Sequence, residues 1–310
     1  MAVFIFFGMT FFCDPSFAET NNPNANRMSY GKPVGVVYFS NGSDLIKYDF
    51  SSKKKEVLFR FHEESELGKK ITQLTYSAYL RGKRKILFIG LKNLSERHIF
   101  ESDLNLRNWK EYATTENIGD MSLSPDEKVI AFYRHPNKAI IKKYADLEKE
   151  GCERIVATDA SARPIWVSNS ELVYYSKAKN IVKLDVDSGV QLTLAKDVFP
   201  ESVSPDGKYM LCSKKDSIYL YDVSHLQLRL LKKGGGLYNS SPDIWSWGGR
   251  YFLYSKYQKV KLTFNLFKYM NDLIAERQDV WVHCIATGAD EKILENEKAP
   301  FGGFWLEGRD

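Results

Sequence analysis

The residues of this chain that could do chemistry are its acids, histidines and cysteines, and their spacing is sparse. The five histidines, His62, His98, His135, His225 and His283, are scattered, and none belongs to a His-Glu-x-x-His pair. Cys-x-x-Cys spacing and an EF-hand loop are also missing, which removes the commonest zinc and calcium motifs. Cys13 lies in an apolar N-terminal run, while Cys152, Cys212 and Cys284 are far apart. An odd, dispersed set is no disulfide framework and reads as small buried hydrophobes. No Gly-x-Ser-x-Gly turn is present to raise a serine nucleophile. What remains is a trio of carboxylates, Asp120, Glu201 and Asp243, each near the start of an apolar segment. Brought to one channel mouth they could hold Ca²⁺ and support a small hydrolase or lactonase. The competing expectation is solvated acids facing lysine or water, since the matching slots, Gln73 and Ile165, add no ligand. The leading reading is therefore non-catalytic and free of cofactor.

A repeat must position these acids. Ser204-Pro205-Asp206-Gly207-Lys208-Tyr209-Met210-Leu211 aligns without a gap on Ser246-Trp247-Gly248-Gly249-Arg250-Tyr251-Phe252-Leu253. Ser124-Pro125-Asp126-Glu127-Lys128-Val129-Ile130 is a third copy, and Ser168-Asn169-Ser170-Glu171-Leu172-Val173 a fourth that lacks one turn residue. Proline fixes φ, glycine accepts the left-handed region, and the apolar run that follows suits a strand buried on both faces. A second marker trails each copy: alternating strands that end on Asp49, Asp103, Asp146, Asp185 and Asp222. Each of these aspartates is expected to bond the amides of the turn it begins, a structural task.

Short strands recurring every ~35 to 45 residues are the mark of propeller blades. The repeats predict an all-β fold, a six-bladed β-propeller with blades near 32–65, 66–115, 116–157, 158–196, 197–236 and 237–296. The first blade begins without an innermost strand. Pro300-Phe301-Gly302-Gly303-Phe304-Trp305-Leu306 resembles the innermost segment Pro242-Asp243-Ile244-Trp245-Ser246, so 299–306 is expected to complete that blade and close the ring.

The Ser-Pro-Asp-Gly-Lys turn, clearest at Ser124 to Asp126 and Ser204 to Lys208, and the strand ending on Asp resemble the propeller repeat of the TolB family, shared with prolyl oligopeptidase-type peptidases. The likeness runs over about residues 32–306. It implies a periplasmic protein that binds other envelope proteins through its propeller. TolB proteins carry an α/β domain ahead of the propeller and the peptidases a hydrolase domain, and neither is read in this sequence.

The N-terminus agrees with export. Ala2 to Cys13 is apolar, Pro15 breaks it, and Ser16-Phe17-Ala18 offers a cleavage site, so 1–18 read as a secretory signal and 19–31, Asn-rich, as a flexible leader. The apolar run is too short to span a bilayer. A periplasmic or secreted monomer is expected, with no nucleic acid partner.

Loop charge then suggests a binding face. The loops between second and third strands collect Lys92, Arg97, Arg134, Lys138, Lys177, Lys179, Lys214, Lys215, Lys256, Lys259 and Lys261 against only Glu96 and Asp216, in a chain of formal charge +5. The sixth blade's loop is enlarged to 256–278 and carries an amphipathic stretch with Phe267, Met270 and Ile274. Lys214, Lys215, Lys256, Lys259, Lys261, Phe264, Phe267 and Tyr269 are the candidate binding residues, and an envelope protein, an anionic glycan or a lipid surface the expected partner.

Overall fold

In a computed structural model of the protein, residues 32–40, 44–61, 66–71, 73–92, 96–112, 118–234, 244–257, 277–298 and 301–306 are described. The chain divides into Met1–Pro33, of which only residues 32 and 33 are described, and Val34–Asp310, which carries every described strand. The signal and leader read from the sequence therefore lie outside the described residues.

Six antiparallel sheets form the ring. Blade 1 contains β1 (Val36–Ser40), β2 (Asp44–Asp49) and β3 (Lys54–Arg60). A short helix, Glu66–Lys70, leads into blade 2, with β4 (Gln73–Leu80), β5 (Lys85–Lys92), β6 (Glu96–Ser102) and β7 (Trp109–Tyr112). Blade 3 is β8 (Ile118–Leu123), β9 (Val129–Arg134), β10 (Lys138–Lys143) and β11 (Arg154–Ala157). Blade 4 is β12 (Ile165–Trp166), β13 (Glu171–Tyr175), β14 (Asn180–Asp185) and β15 (Gln191–Lys196). Blade 5 follows as β16 (Phe199–Val203), β17 (Tyr209–Lys214), β18 (Ser217–Asp222) and β19 (Gln227–Lys233). Blade 6 has β20 (Tyr251–Tyr257), β21 (Arg277–Cys284) and β22 (Asp290–Lys298), its innermost place marked by a bridge from Trp245 to Phe252.

The last strand, β23 (Phe301–Leu306), closes the ring as the sequence predicts. It pairs antiparallel with β1, setting Val37 opposite Trp305 and Val36 opposite Leu306. The Trp305 indole donates to the Val34 carbonyl at 2.9 Å, and the Phe304 ring stacks against Tyr38 at 5.0 Å and Tyr79 at 5.6 Å. Phe304 thereby ties the first blade to the innermost strand of the second. The core lies between sheets, where Val37, Ile46 and Tyr48 of blade 1 pack with Phe252, Val280 and Val282 of blade 6. Burial on both faces explains the unbroken apolar runs of β5 and β9.

The repeated turns have one geometry. Ser124 Oγ donates to Asp126 at 2.7 Å and accepts from the Val129 amide at 2.9 Å; Ser204 does the same with Asp206 and Tyr209, at 2.7 and 2.9 Å. Ser168 and Ser246 accept from Glu171 and Tyr251 at 3.1 and 3.0 Å. Gly207 sits at φ 72°, and a Cβ there would meet the Val167 carbonyl at 2.6 Å, so glycine is required. The strand-ending aspartates act as turn formers: Asp49 accepts from the amides of Ser51 and Ser52, Asp185 from Asp187 and Ser188, and Asp222 from Ser224 and His225. Asp146 departs from the pattern and pairs with Lys149 at 2.7 Å. One cysteine also departs from expectation. Cys212 and Cys284 are buried and free, but Cys152 is exposed, because it falls in the turn before β11 and not on a strand.

Candidate functional site

Hairpin loops between the second and third strands share one face of the ring with the blade-to-blade connections, and the Ser-Pro-Asp turns occupy the other. On the loop face the basic residues fall into two groups. In blades 2 and 3, Lys92 pairs with Glu111 at 2.5 Å, Arg134 with Glu153 at 2.8 Å and Arg97 with Asp120 at 3.9 Å, while the half-buried Lys138 forms no ion pair with a described residue. In blades 4 and 5, Lys177, Lys179, Lys196, Lys214, Lys215 and Lys233 are exposed, and none forms an ion pair with a described residue. Lys214 ends β17, and Lys215 follows at φ 54° in the tight hairpin that Lys214 and Ser217 close, so the fold holds both at the tip of blade 5. The acids of the same loops are Asp159, Asp197 and Asp216. Lys196 and Lys233, at the ends of outermost strands, were missed by a reading confined to the hairpins. The return of each outer strand to the loop face would have found them.

Lys256 lies near the end of β20; residues 258–276, most of the enlarged loop read from the sequence, are outside the described residues. Its ammonium lies over Trp281 at 4.3 Å and near Tyr254 at 5.7 Å, with Lys232 also over Tyr254 at 4.9 Å. Burial, and then the charge of Lys232, push the Lys256 ammonium below the ordinary lysine range. The nearby Asp290 is already engaged by Lys232, by Tyr254 at 2.8 Å and by His283 at 3.0 Å. Lys259, Lys261, Phe264, Phe267 and Tyr269 lie outside the described residues.

Of the channel carboxylates, Asp120 and Glu201 are on the innermost strands β8 and β16, and Asp243 lies outside the described residues. Glu201 is buried and accepts from Ser213 Oγ at 2.5 Å, while its backbone carbonyl accepts from Arg163. Arg163 is itself buried. Two arginines, Arg97 and Arg163, thus join the acids at this end of the channel, and the trio read from the sequence overlooked both. Among the described residues no three His, Cys, Asp or Glu side chains are grouped as a metal site.

A second buried carboxylate was also invisible in the repeat. Glu101 on β6 accepts from Tyr112 at 2.6 Å, from Lys85 at 2.5 Å and from Tyr144, which arrives from blade 3. Burial alone would raise its carboxyl, but these donors outweigh burial and hold it down to about 2. The same contact, added to burial, pushes the Tyr112 phenol up to about 12.

Six antiparallel blades, with Ser-Pro-Asp turns in blades 3 and 5 and a closing strand paired to β1, define a six-bladed β-propeller whose fold is similar to that of TolB. A crystal structure of TolB from Acinetobacter baumannii matches with a TM-score of 0.66 at 12% identity, over 88% of this chain and 67% of that one. A TolB-type protein from Agrobacterium tumefaciens matches with a TM-score of 0.60 at 12% identity, over 90% of this chain and 100% of that one. A puromycin-hydrolyzing peptidase from Mycobacterium tuberculosis matches at 0.53 and 14% identity, over 86% of this chain and 44% of that one. At these identities the likeness is one of fold. No protein-family model matches the chain, and no curated protein matches it in sequence. No helix among the described residues is long and apolar enough to cross a membrane.

Proposed function

We propose that the protein is a non-catalytic interaction module of the bacterial envelope, whose loop face on blades 4 and 5 binds an acidic protein partner. The observation that carries this reading is the set of six exposed lysines in that sector, none ion-paired with a described residue, beside a sector where Lys92, Arg97 and Arg134 are paired with carboxylates. Six exposed lysines outnumber the exposed acids Asp159, Asp197 and Asp216 of the same loops, and such an excess of one sign raises the rate and specificity of encounter with a complementary surface. The TolB-like fold and the secretory character of residues 1–18 favour the envelope as the place of action.

The test is capture from envelope extract at low salt on the immobilised protein. Wild-type protein is expected to retain an acidic protein that elutes as salt rises. A variant with Lys177→Glu, Lys179→Glu, Lys214→Glu and Lys215→Glu should lose it. Undiminished capture by that variant would overturn the assignment of the face.

A further inference from the structure

Each blade ends at the rim of the ring in an edge strand. An unprotected edge pairs with other strands, so proteins keep such strands short, charge them or interrupt them with a bulge. β7 and β11 are four residues long, β3 carries Lys54, Lys55, Glu56 and Arg60, and β22 carries Asp290, Glu291, Lys292 and Glu295. β15 is interrupted by a bulge at Leu194, whose carbonyl accepts from the Tyr221 hydroxyl at 3.0 Å. β19 lacks these devices over its first half. It pairs regularly from Gln227 to Leu230 before its own bulge, and no described strand lies on its outer side. From Ser224 to Leu231 its one charged residue is Arg229.

The same strand is apolar where it is exposed. Leu226, Leu228 and Leu230 are 56%, 42% and 42% exposed. Leu228 and Leu230 lie opposite Tyr221 and Tyr219, which pack in the core between blades 4 and 5, so this row faces blade 4. On blade 4, Leu192 lies opposite Lys183, which in turn lies opposite the core residue Val173, so Leu192 faces blade 5. Val190, whose carbonyl accepts from the Asp185 amide, precedes Leu192 by two residues and shares its side. Five of the nine large apolar side chains exposed among the described residues thus border one cleft, open at the rim. That is a contiguous patch, the mark of an interface.

The sequence of β19 fits a second copy of itself. Antiparallel pairing about a two-fold axis at Leu228 sets Leu228 beside Leu228, Leu226 beside Leu230 and Gln227 beside Arg229. An axis at Arg229 would oppose two arginines, and a slip of one residue would turn the partner's leucines to the other face of the sheet. Charge agrees with the antiparallel sense. The strand leaves the acidic turn of Asp222 and ends on the exposed Lys233, so the basic end of each copy lies along the acidic end of the other. The partner's leucines then continue the row on the side that looks toward Val190 and Leu192, and the outward N–H and C=O groups of both edges find partners.

We propose that the protein pairs with a second copy of itself through β19, joining two four-stranded blades into one continuous sheet. The contact lies on the rim, apart from the hairpin lysines Lys177, Lys179, Lys214 and Lys215, so it stands or falls separately from the acidic-partner reading. It replaces the monomer expected from the sequence.

Sedimentation velocity of the purified chain from about 1 to 200 µM tests the assignment, since an edge interface of this small size should dissociate at about 1 to 50 µM. Monomer mass throughout that range overturns the proposal. Leu228→Lys sets two ammonium groups on the axis and should weaken self-association about tenfold or more, while the melting temperature holds because the side chain is exposed. A dimer that this variant leaves intact uses another surface and overturns the proposal equally. Cross-linking reads the register independently. With the exposed Cys152 changed to serine, Leu228→Cys should oxidise to a disulfide-linked dimer, because residues facing each other across an antiparallel pair lie within disulfide reach. Val57→Cys, similarly exposed on β3, should not. Cross-linking of both to the same extent, or of neither, overturns the β19 contact.

Discussion

Blades 2 and 3 and blades 4 and 5 are built from the same repeat, yet they treat the cations of the loop face differently. In the first pair, Lys85, Lys92, Arg97 and Arg134 each meet a carboxylate, and Glu101 gathers Tyr112 from its own blade and Tyr144 from across the blade boundary. In the second pair, Lys177, Lys179, Lys214 and Lys215 meet none among the described residues. On the loop face, one sector pairs most of its cations with carboxylates, and the other leaves its lysines exposed. Within a single architecture, then, the part of the charge pattern that serves stability can be told from the part free for binding.

The comparison presumes a closed ring, and opening the ring has the largest expected effect. Deleting residues 299–310 removes β23, exposes the edge of β1 and withdraws Phe304 and Trp305, both almost fully buried. Losing a buried aromatic costs about 3 to 5 kcal/mol, and two such losses consume most of a typical domain stability of about 5 to 15 kcal/mol. The truncated chain should show no cooperative thermal transition by circular dichroism.

Next comes the paired sector. Glu101→Ala leaves Lys85, Tyr112 and Tyr144 without their common acceptor, and breaking a buried charged network of this kind costs about 3 to 5 kcal/mol in urea denaturation. The carboxyl is held at about 2 against an ordinary value of 4.5, so its contribution is complete above about pH 4.5 and is lost as the pH falls through 2. Stability of the wild type should therefore drop through that window more steeply than stability of Glu101→Gln, in which the group no longer titrates. Parallel pH profiles would remove Glu101 from the argument.

How far this was legible in the sequence follows from the same contrast. The turn Ser204-Pro205-Asp206-Gly207 shows itself because a backbone conformation dictates each residue type, so blades, closure and turn aspartates could all be read. The lysine hairpins were legible because Lys214 and Lys215 sit at a fixed place in the repeat. Pairing was not, since Arg134 finds Glu153 and Tyr144 finds Glu101 only after strands or blades are set side by side. Arg163 is of the same kind: its partner carbonyl, at Glu201, belongs to the next blade. The aromatics of the innermost strands were half visible, in that Trp245 and Trp305 were matched as innermost segments, but their burial between neighbouring blades is a property of the ring.

The smallest effect is also the most discriminating. Arg134→Glu sets two carboxylates together, because Glu153 is only 15% exposed and Lys142 lies 3.9 Å away on its other oxygen. A loss of about 1 to 3 kcal/mol should follow. Lys214→Glu on an exposed hairpin has no ion-pair partner among the described residues to orphan and should shift stability by no more than about 0.5 kcal/mol. The two substitutions reverse the same charge on the same face, at the end of the second strand in two repeats of one design. Equal denaturation midpoints for both would erase the distinction between the sectors. A gap of a kilocalorie or more would leave the lysines of blades 4 and 5 without a stabilising role, and binding as the reason to keep them.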